Sequence, residues 1–328
     1  MTGEEAIIQG ALAPLSSGFP GALGLKDDAA VMAVPAGQDL VVTMDAIAQG
    51  VHFFADDAPA DIGWKALAVN VSDLIAKGAT PHAYLMSLAF PSAPDPEWLA
   101  RFAEGLGQAQ SEFGLHLIGG DTSRRPGPVS ITITALGLVP EGSMVKRGGA
   151  RPGDHIFVSS TLGNAALGLK LRANAPETKM WPLEAHERTA LIRRYLRPTP
   201  QLGLVPVLRA HARAAMDISD GLIKDLGRMT ELSGVGAEIY ANRLPLSATV
   251  AKVLAAHPGE IVAVVAGGDD YEVLAAVAGD QVAAFEDAAA TAFVAVTQIG
   301  HIRAGTGVLV IGAGGQPMQL TQSGYDHF

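Results

Sequence analysis

The stretch from Ala214 to Leu232 limits this chain most. An apolar run ends in Asp217, Ser219-Asp220-Gly221 makes a tight turn, and Leu222, Leu226 and Met229 then recur at helical spacing. A buried strand must therefore turn straight into a helix, with two carboxylates in the turn. Carboxylates so close resist ionising together unless a cation or a donor lies between them, which suits a hard metal such as Mg²⁺ or Ca²⁺. A single Asp at such a place more often caps the helix, and Asp220 alone reads that way. The pattern recurs, however. Asp27-Asp28, Asp45, Asp73 and Asp121 each stand beside an apolar run, Asp73 and Asp121 also next to Gly, Ser or Thr.

Several function classes drop out on composition. With a net charge of -10 and no basic run, neither nucleic acid nor an anionic membrane is an expected partner. There is no cysteine, which removes disulfides and thiolate metal sites. The N-terminus has no basic region before its apolar residues and no apolar run approaches the ~18 residues of a span, so a soluble cytoplasmic protein is expected. At 328 residues, 48% of them hydrophobic, the chain can build two cores. Glycines 142, 148, 149 and 153 with Pro152 place the boundary near 148, giving domains 1–147 and 148–328.

In order, a capped helix over Ile7 to Leu12 is expected, then a hairpin of Ala29–Val34 with Asp39–Met44 that sets Asp28 beside Asp45. A helix from Asp61 to Lys77 puts Asn70 and Asp73 on one face. A strand at His82–Phe90 precedes a helix opened by Asp95-Pro96 and closed at Gly114. Leu115–Ile118 reads as a short strand ending in a glycine turn, Gly119-Gly120-Asp121, that offers amides to phosphate and a carboxylate to a cation, with Arg124 or Arg125 for an anion. The strand Val129–Val139 completes this half.

The second half reads as strand His155–Ser159, helices to Leu171, over Glu184–Tyr195 and over Gln201–His211, and the opening stretch. Strands at Ala237–Tyr240 and Ile261–Ala266 follow, the latter ending in Gly267-Gly268-Asp269-Asp270-Tyr271-Glu272. Helix Gln281–Thr291 and strands Val294–Ile299 and Val308–Ile311 finish it. Both halves mix helix and strand, so the fold class is α/β (α+β mixed).

Many carboxylates, two Gly-Gly-Asp segments and few nucleophiles point to a polyphosphate held through Mg²⁺, because phosphoryl transfer asks a protein mainly for position and charge neutralisation. No P-loop, no G-x-G-x-x-G after a strand, no zincin motif and no G-x-S-x-G elbow is present.

The ordered set Asp27-Asp28-Ala29-Ala30, Thr43-Met44-Asp45, Gly50-Val51-His52-Phe53, Lys65 to Leu74, Leu117 to Thr122, Arg151-Pro152-Gly153-Asp154, Asp217 to Gly221, Gly267 to Glu272 and Gly324 to Phe328 resembles the thiamine-monophosphate kinase family. That family belongs to the aminoimidazole ribonucleotide synthetase-like ATP-binding superfamily, and the likeness runs over essentially the whole chain. It implies a homodimer of two-domain subunits, each with an N-terminal β-β-α-β-α-β type domain and a C-terminal α/β domain. The reaction implied is transfer of the ATP γ-phosphoryl group to thiamine monophosphate, giving thiamine diphosphate.

By position, the resemblance makes Asp28, Thr43, Asp45, Asp73, Asp121, Asp217 and Asp220 ligands of several Mg²⁺ ions, with Met44 contributing its carbonyl. Gly120, Asp121, Arg147 and Ser219 would meet ATP; His52, Asp269 and Gln322 would meet thiamine monophosphate. No side chain is expected to act as a catalytic base, since the acceptor is already an anionic phosphate. Four positions depart from the family pattern: Lys26 for Gly, Met44 for Thr, Asp269 for Glu, and Gln322 for an aromatic ring, a place Trp181 could fill. The alternatives are a same-fold ATP enzyme with another small acceptor and a nucleotide-binding protein without catalysis. For His52 a satisfied loop histidine stands level with a substrate contact.

Overall fold

The computed structural model describes residues 5–312, 314–318 and 324. It divides into two units, one formed by the chain up to Leu74 with Ala79–Ser143, the other by Ile75–Gly78 with the chain from Met144 onward.

The first unit contains β1 (Gln38–Ala48), α1 (Pro59–Ala76), β2 (Thr80–Phe90), α2 (Pro96–Phe113), β3 (His116–Arg124) and β4 (Ser130–Pro140). Its sheet runs β1-β4-β2-β3, with β4 antiparallel to both neighbours and β2 parallel to β3. Helix α2 forms where its signals stand: the Asp95 carboxylate accepts from the Glu97 amide at 3.2 Å, Pro96 opens the first turn, and Gly114 ends it in a left-handed conformation. Leu67, Val71 and Leu74 of α1 are fully buried at helical spacing. The two helices touch at backbone distance. A methyl group at Gly105 would lie 1.9 Å from the Ala60 carbonyl oxygen, and one at Gly63 would lie 2.3 Å from that of Phe102.

Two expectations for this unit are corrected. Residues 29–34 form no strand. The Val31 amide instead donates to Gly21 O at 2.8 Å, and Ala30 and Met32 pack on Ala22, Ile118 and Leu136 while β1 takes β4 as its partner. The second correction concerns Gly119-Gly120-Asp121, which is not a turn. It continues β3 along β2, Gly120 opposite Met86 and Asp121 opposite Ser87, with Ile118 bulged out. The glycine serves close approach rather than reversal: a methyl group at 120 would meet Met86 O at 1.8 Å.

The second unit contains β5 (His155–Ser159), α3 (Asn164–Arg172), α4 (Ala185–Leu196), α5 (Leu204–His211), β6 (Ala212–Ile218), α6 (Leu222–Ser233), β7 (Gly236–Tyr240), α7 (Ala248–Ala256), α8 (Ile261–Ala266), β8 (Glu272–Val277), α9 (Val282–Thr291), β9 (Val296–Arg303) and β10 (Val308–Ile311). The sheet order is β10-β7-β9-β5-β8-β6. Ile261–Ala266, expected as a strand, is the short helix α8, closed by the Gly267 amide on Ala263 O at 2.9 Å. Six apolar residues in a row do not declare a period. The strand beside β6 is the unforeseen β8, buried along its full length. Among the described residues no helix is long and apolar enough to cross a membrane.

Candidate active site

A cavity of about 520 Å³ in the first unit is lined by Asp27, Asp28, Met44, Gly120 and Asp121, among others, and by no Lys, Arg or His among the described residues. Uncompensated carboxylates around one space attract cations. Lys26, although next in sequence, is exposed and lines no part of it.

Thr43 and Asp45 lie on the other face of β1, as strand alternation requires. There Thr43 Oγ1 donates to Asp73 Oδ2 at 2.6 Å, and the Asp45 amide donates to Asn70 Oδ1 at 2.8 Å. The Asn70 and Asp73 pair of α1 therefore meets β1, with Asn70 fully buried. The structure thus brings Asp28, Met44 and Asp121 to one cavity, and Thr43 to Asp73 beyond it. Among the described residues no three His, Asp or Glu side chains converge to grip a metal ion by themselves. Mg²⁺ does not need such a cage, because it keeps waters and takes phosphate oxygens beside one or two carboxylates. The hard oxygen donors present fit that ion.

His52 sits in the loop after β1. Its Nδ1 accepts the Ala48 amide at 3.1 Å, so in the neutral ring the proton is on Nε2. Buried Lys65 donates to the His52 carbonyl at 3.0 Å, which fixes the loop from beneath.

In the second unit Asp217 is buried at the end of β6, and Ser219 and Asp220 form the turn into α6. Asp220 does not cap the helix; the residue at that position is Gly221, with φ 116°. The turn is held by Asp225, whose Oδ2 accepts the Ser219 and Asp220 amides at 3.1 and 3.0 Å and whose Oδ1 takes Arg228 at 2.8 Å. Burial pushes the Asp225 carboxyl up, and the Asp220 charge adds to this while the turn amides and Arg228 oppose it. Asp220 itself pairs with Arg228 at 2.7 Å and Lys224 at 3.6 Å, so a cation there competes with two side chains. Asp225 was not singled out from sequence, although an acid in the first turn of a helix entered by a glycine was the available signal. Arg147 is exposed on a segment tied to β6, where the Ala215 amide donates to Lys146 O at 3.0 Å. Gly324 packs on this turn as well, a methyl there meeting Lys224 Cβ at 2.5 Å.

Asp269 is half-buried in the turn between α8 and β8. Both it and Tyr271 adopt left-handed backbone, with φ 69° and 50°. Next to it Asp270 accepts the Gly163 amide on both oxygens, at 3.1 and 2.9 Å, and Glu272 takes Arg194 at 2.8 Å and the Ser159 hydroxyl at 2.6 Å. Burial raises Asp270 from 3.8 to about 7 and Glu272 from 4.5 to about 8, against the pull of Arg194 on both. The folded chain thus binds these protons more tightly than the unfolded chain. Their stabilisation is complete below about pH 4 and is lost as pH rises through 7 and 8. Relative to Glu272→Gln, the parent protein is therefore expected to lose about 1 kcal/mol or more between pH 5 and 8, a Tm change of about 2–4 °C in calorimetry. A constant Tm difference over that range would contradict the burial argument.

Gln322 lies outside the described residues. Trp181 does not offer a ring in its place, for it is buried in the core of its unit.

Residues 26–139 match the model of the AIR synthase related protein, N-terminal domain, and residues 151–312 that of its C-terminal domain. Thiamine-monophosphate kinase of Caulobacter vibrioides is 40% identical over 90% of this chain and 83% of its own length, and that of Escherichia coli (strain K12) is 38% identical over 93% and 92%. The solved thiamine-monophosphate kinase of Stenotrophomonas maltophilia superposes with a TM-score of 0.80 at 40% identity, over 87% of this chain and 89% of that one. The structure of AaThiL complexed with AMPPCP and TMP gives 0.77 at 33%, over 92% and 91%. Hydrogenase maturation protein HypE in complex with ATP, at 17% identity and a TM-score of 0.77, shares the fold. The chain belongs to the AIR synthase related protein family and, within it, to the thiamine-monophosphate kinases.

Proposed function

We propose that this chain transfers the γ-phosphoryl group of ATP to the phosphate of thiamine monophosphate, giving thiamine diphosphate and ADP. The observation that carries this reading is the cavity on β1 and β3, lined by acids and, among the described residues, by no basic side chain, in a chain whose relatives are thiamine-monophosphate kinases. Mg²⁺ bound to the phosphates would neutralise the negative charge that two polyanions bring together. In this chain Asp28, Asp121 and the Met44 carbonyl would hold it at the cavity, Thr43, Asp45 and Asp73 at the other face of β1, and Asp217 and Asp220 in the second unit.

Gly120 lets β3 run close to β2, which sets the cavity wall on which Asp121 stands. Arg147 and Ser219 would contact ATP. His52 would offer its Nε2 proton to the acceptor, and Asp269 and Gln322 would face the thiamine group. No side chain need remove a proton, since the attacking oxygen belongs to an ionised phosphate. The work of the protein is to place the two phosphates in line and to exclude other acceptors.

A homodimer and a cytoplasmic location are part of the proposal. On β1, alternate residues Leu40, Val42 and Met44 stay 38, 54 and 64% exposed, an apolar row that a second copy would cover.

The deciding experiment follows ADP and thiamine diphosphate together, with Mg·ATP and with or without thiamine monophosphate, on protein whose mass is read by light scattering. One thiamine diphosphate per ADP, from a particle of twice 33.8 kDa, is the expected result. ATP bound without that product would point to another acceptor, and ADP formed at equal rates without acceptor would remove the kinase assignment.

A further inference from the structure

Within the second unit the two functional turns are joined at the backbone but braced separately. The Asp269 amide donates to Ser219 O at 2.9 Å and the Tyr271 amide to Ile218 O at 2.8 Å. Neither side has room to shift, since a methyl at Gly268 would meet Ser219 O at 2.4 Å and one at Gly221 would meet Ala266 O at 2.7 Å. Left-handed backbone at two residues with side chains is strained and persists only where the surroundings enforce it.

On the Ser219 side the enforcing group is Asp225, fully buried, which takes both turn amides. On the Asp269 side it is a different set. Glu272, fully buried at the start of β8, is gripped by Arg194 from α4 and by Ser159 from β5, whose hydroxyl oxygen in turn accepts the Val273 amide at 2.8 Å. Asp270 holds the Gly163 amide at the entry to α3. None of Arg194, Glu272 and Ser159 belongs to the expected ligand set, and a turn needing only to connect α8 to β8 has no use for a buried Arg–Glu hydrogen bond anchored on a third element. The pair leaves Asp269 half-buried while the three residues after it, Asp270, Tyr271 and Glu272, are buried.

We propose that Arg194, acting through Glu272, is a positioning residue for the acceptor: it sets the strained turn so that the Asp269 carboxylate meets the cationic thiamine portion, independently of the Asp225 brace that sets Ser219 for ATP. The inference rests on Asp269 being a substrate contact. Arg194→Met leaves Glu272 without its cation and loosens the acceptor side alone. Arg194→Lys returns a cation, without the fixed fork of the guanidinium.

The test is steady-state kinetics on the full-length enzyme, with KM measured separately for thiamine monophosphate and for ATP, and Tm measured on each variant. Arg194→Met is expected to raise KM for thiamine monophosphate about tenfold with KM for ATP within about twofold, and Arg194→Lys to recover part of that loss. Asp225→Asn is expected to do the reverse, raising KM for ATP. Asp269→Ala separates the two layers. If it leaves KM for thiamine monophosphate unchanged, the substrate reading of Asp269 is wrong. If it raises that KM while Arg194→Met does not, or if Arg194→Met raises both KM values together, the positioning role is wrong.

Discussion

Asp121→Asn is expected to lower thiamine diphosphate formation by about 10³-fold or more at saturating ATP, with Tm within about 1 °C of the parent. The substitution removes one negative charge and keeps the shape. Asp121 is exposed on the edge strand β3, where its backbone pairs with β2 and its side chain faces the cavity, so the fold asks nothing of its charge. The cavity does. Asp27, Asp28 and Asp121 line a space that, among the described residues, has no basic side chain, and removing one of them weakens the hold on Mg²⁺ by a charge for which the neutral amide does not substitute. Thiamine diphosphate followed by chromatography over a Mg²⁺ titration checks this. Near-normal turnover at saturating Mg²⁺ would mean that Asp121 is not a ligand, whatever else lies in the cavity.

Gly105→Ala is expected to cost about 2–3 kcal/mol and to lower Tm by roughly 5–10 °C. Alanine is the better helix former by about 1 kcal/mol, so propensity alone predicts the opposite sign. The contact decides. The added methyl falls 1.9 Å from the Ala60 carbonyl oxygen, and within 3 Å of that residue's backbone carbon atoms. These are main-chain atoms at the start of α1 and have no rotamer by which to yield, so the helices must part and uncover Phe102 and Leu106, which are fully buried. Gly107→Ala, two residues along the same helix, is the control. Its methyl meets only Leu15 Cδ2, at an ordinary 3.5 Å, and is expected to be neutral or slightly stabilising. Calorimetry on the two variants suffices, and equal Tm values would show that α1 and α2 are not locked at this crossing.

What the sequence made legible were features that act locally. Asp95-Pro96 and Gly114 mark α2 to the residue because a cap and a left-handed stop are properties of a few neighbouring atoms. The acidic stations at 28, 45, 73, 121, 217 and 220 were legible as types, and so was the likeness of their order to one family. What escaped depends on partners distant in the chain. Gly119-Gly120 reads as a turn until β2 is placed 1.8 Å from where a methyl at Gly120 would be. Residues 29–34 form an apolar run like that of a strand, yet among the described residues β1 has only β4 beside it in the sheet. Ile261–Ala266 has a strand's composition, but β8 occupies the strand position next to β6. The roles of Asp225 and Glu272 were hidden for the same reason. A carboxylate declares itself in sequence as acidic, and only its neighbours tell whether it faces a ligand or holds a turn.

The amide of Asp45 has a consequence beyond the site. β1 is the outer strand of its sheet, and an outer strand with free N–H groups is a template on which other chains add and precipitate. Asn70 reaches from α1 and takes that N–H for itself. At this register a foreign strand finds its donor already engaged, so a buried asparagine in a helix removes one backbone pairing site from the exposed edge of β1.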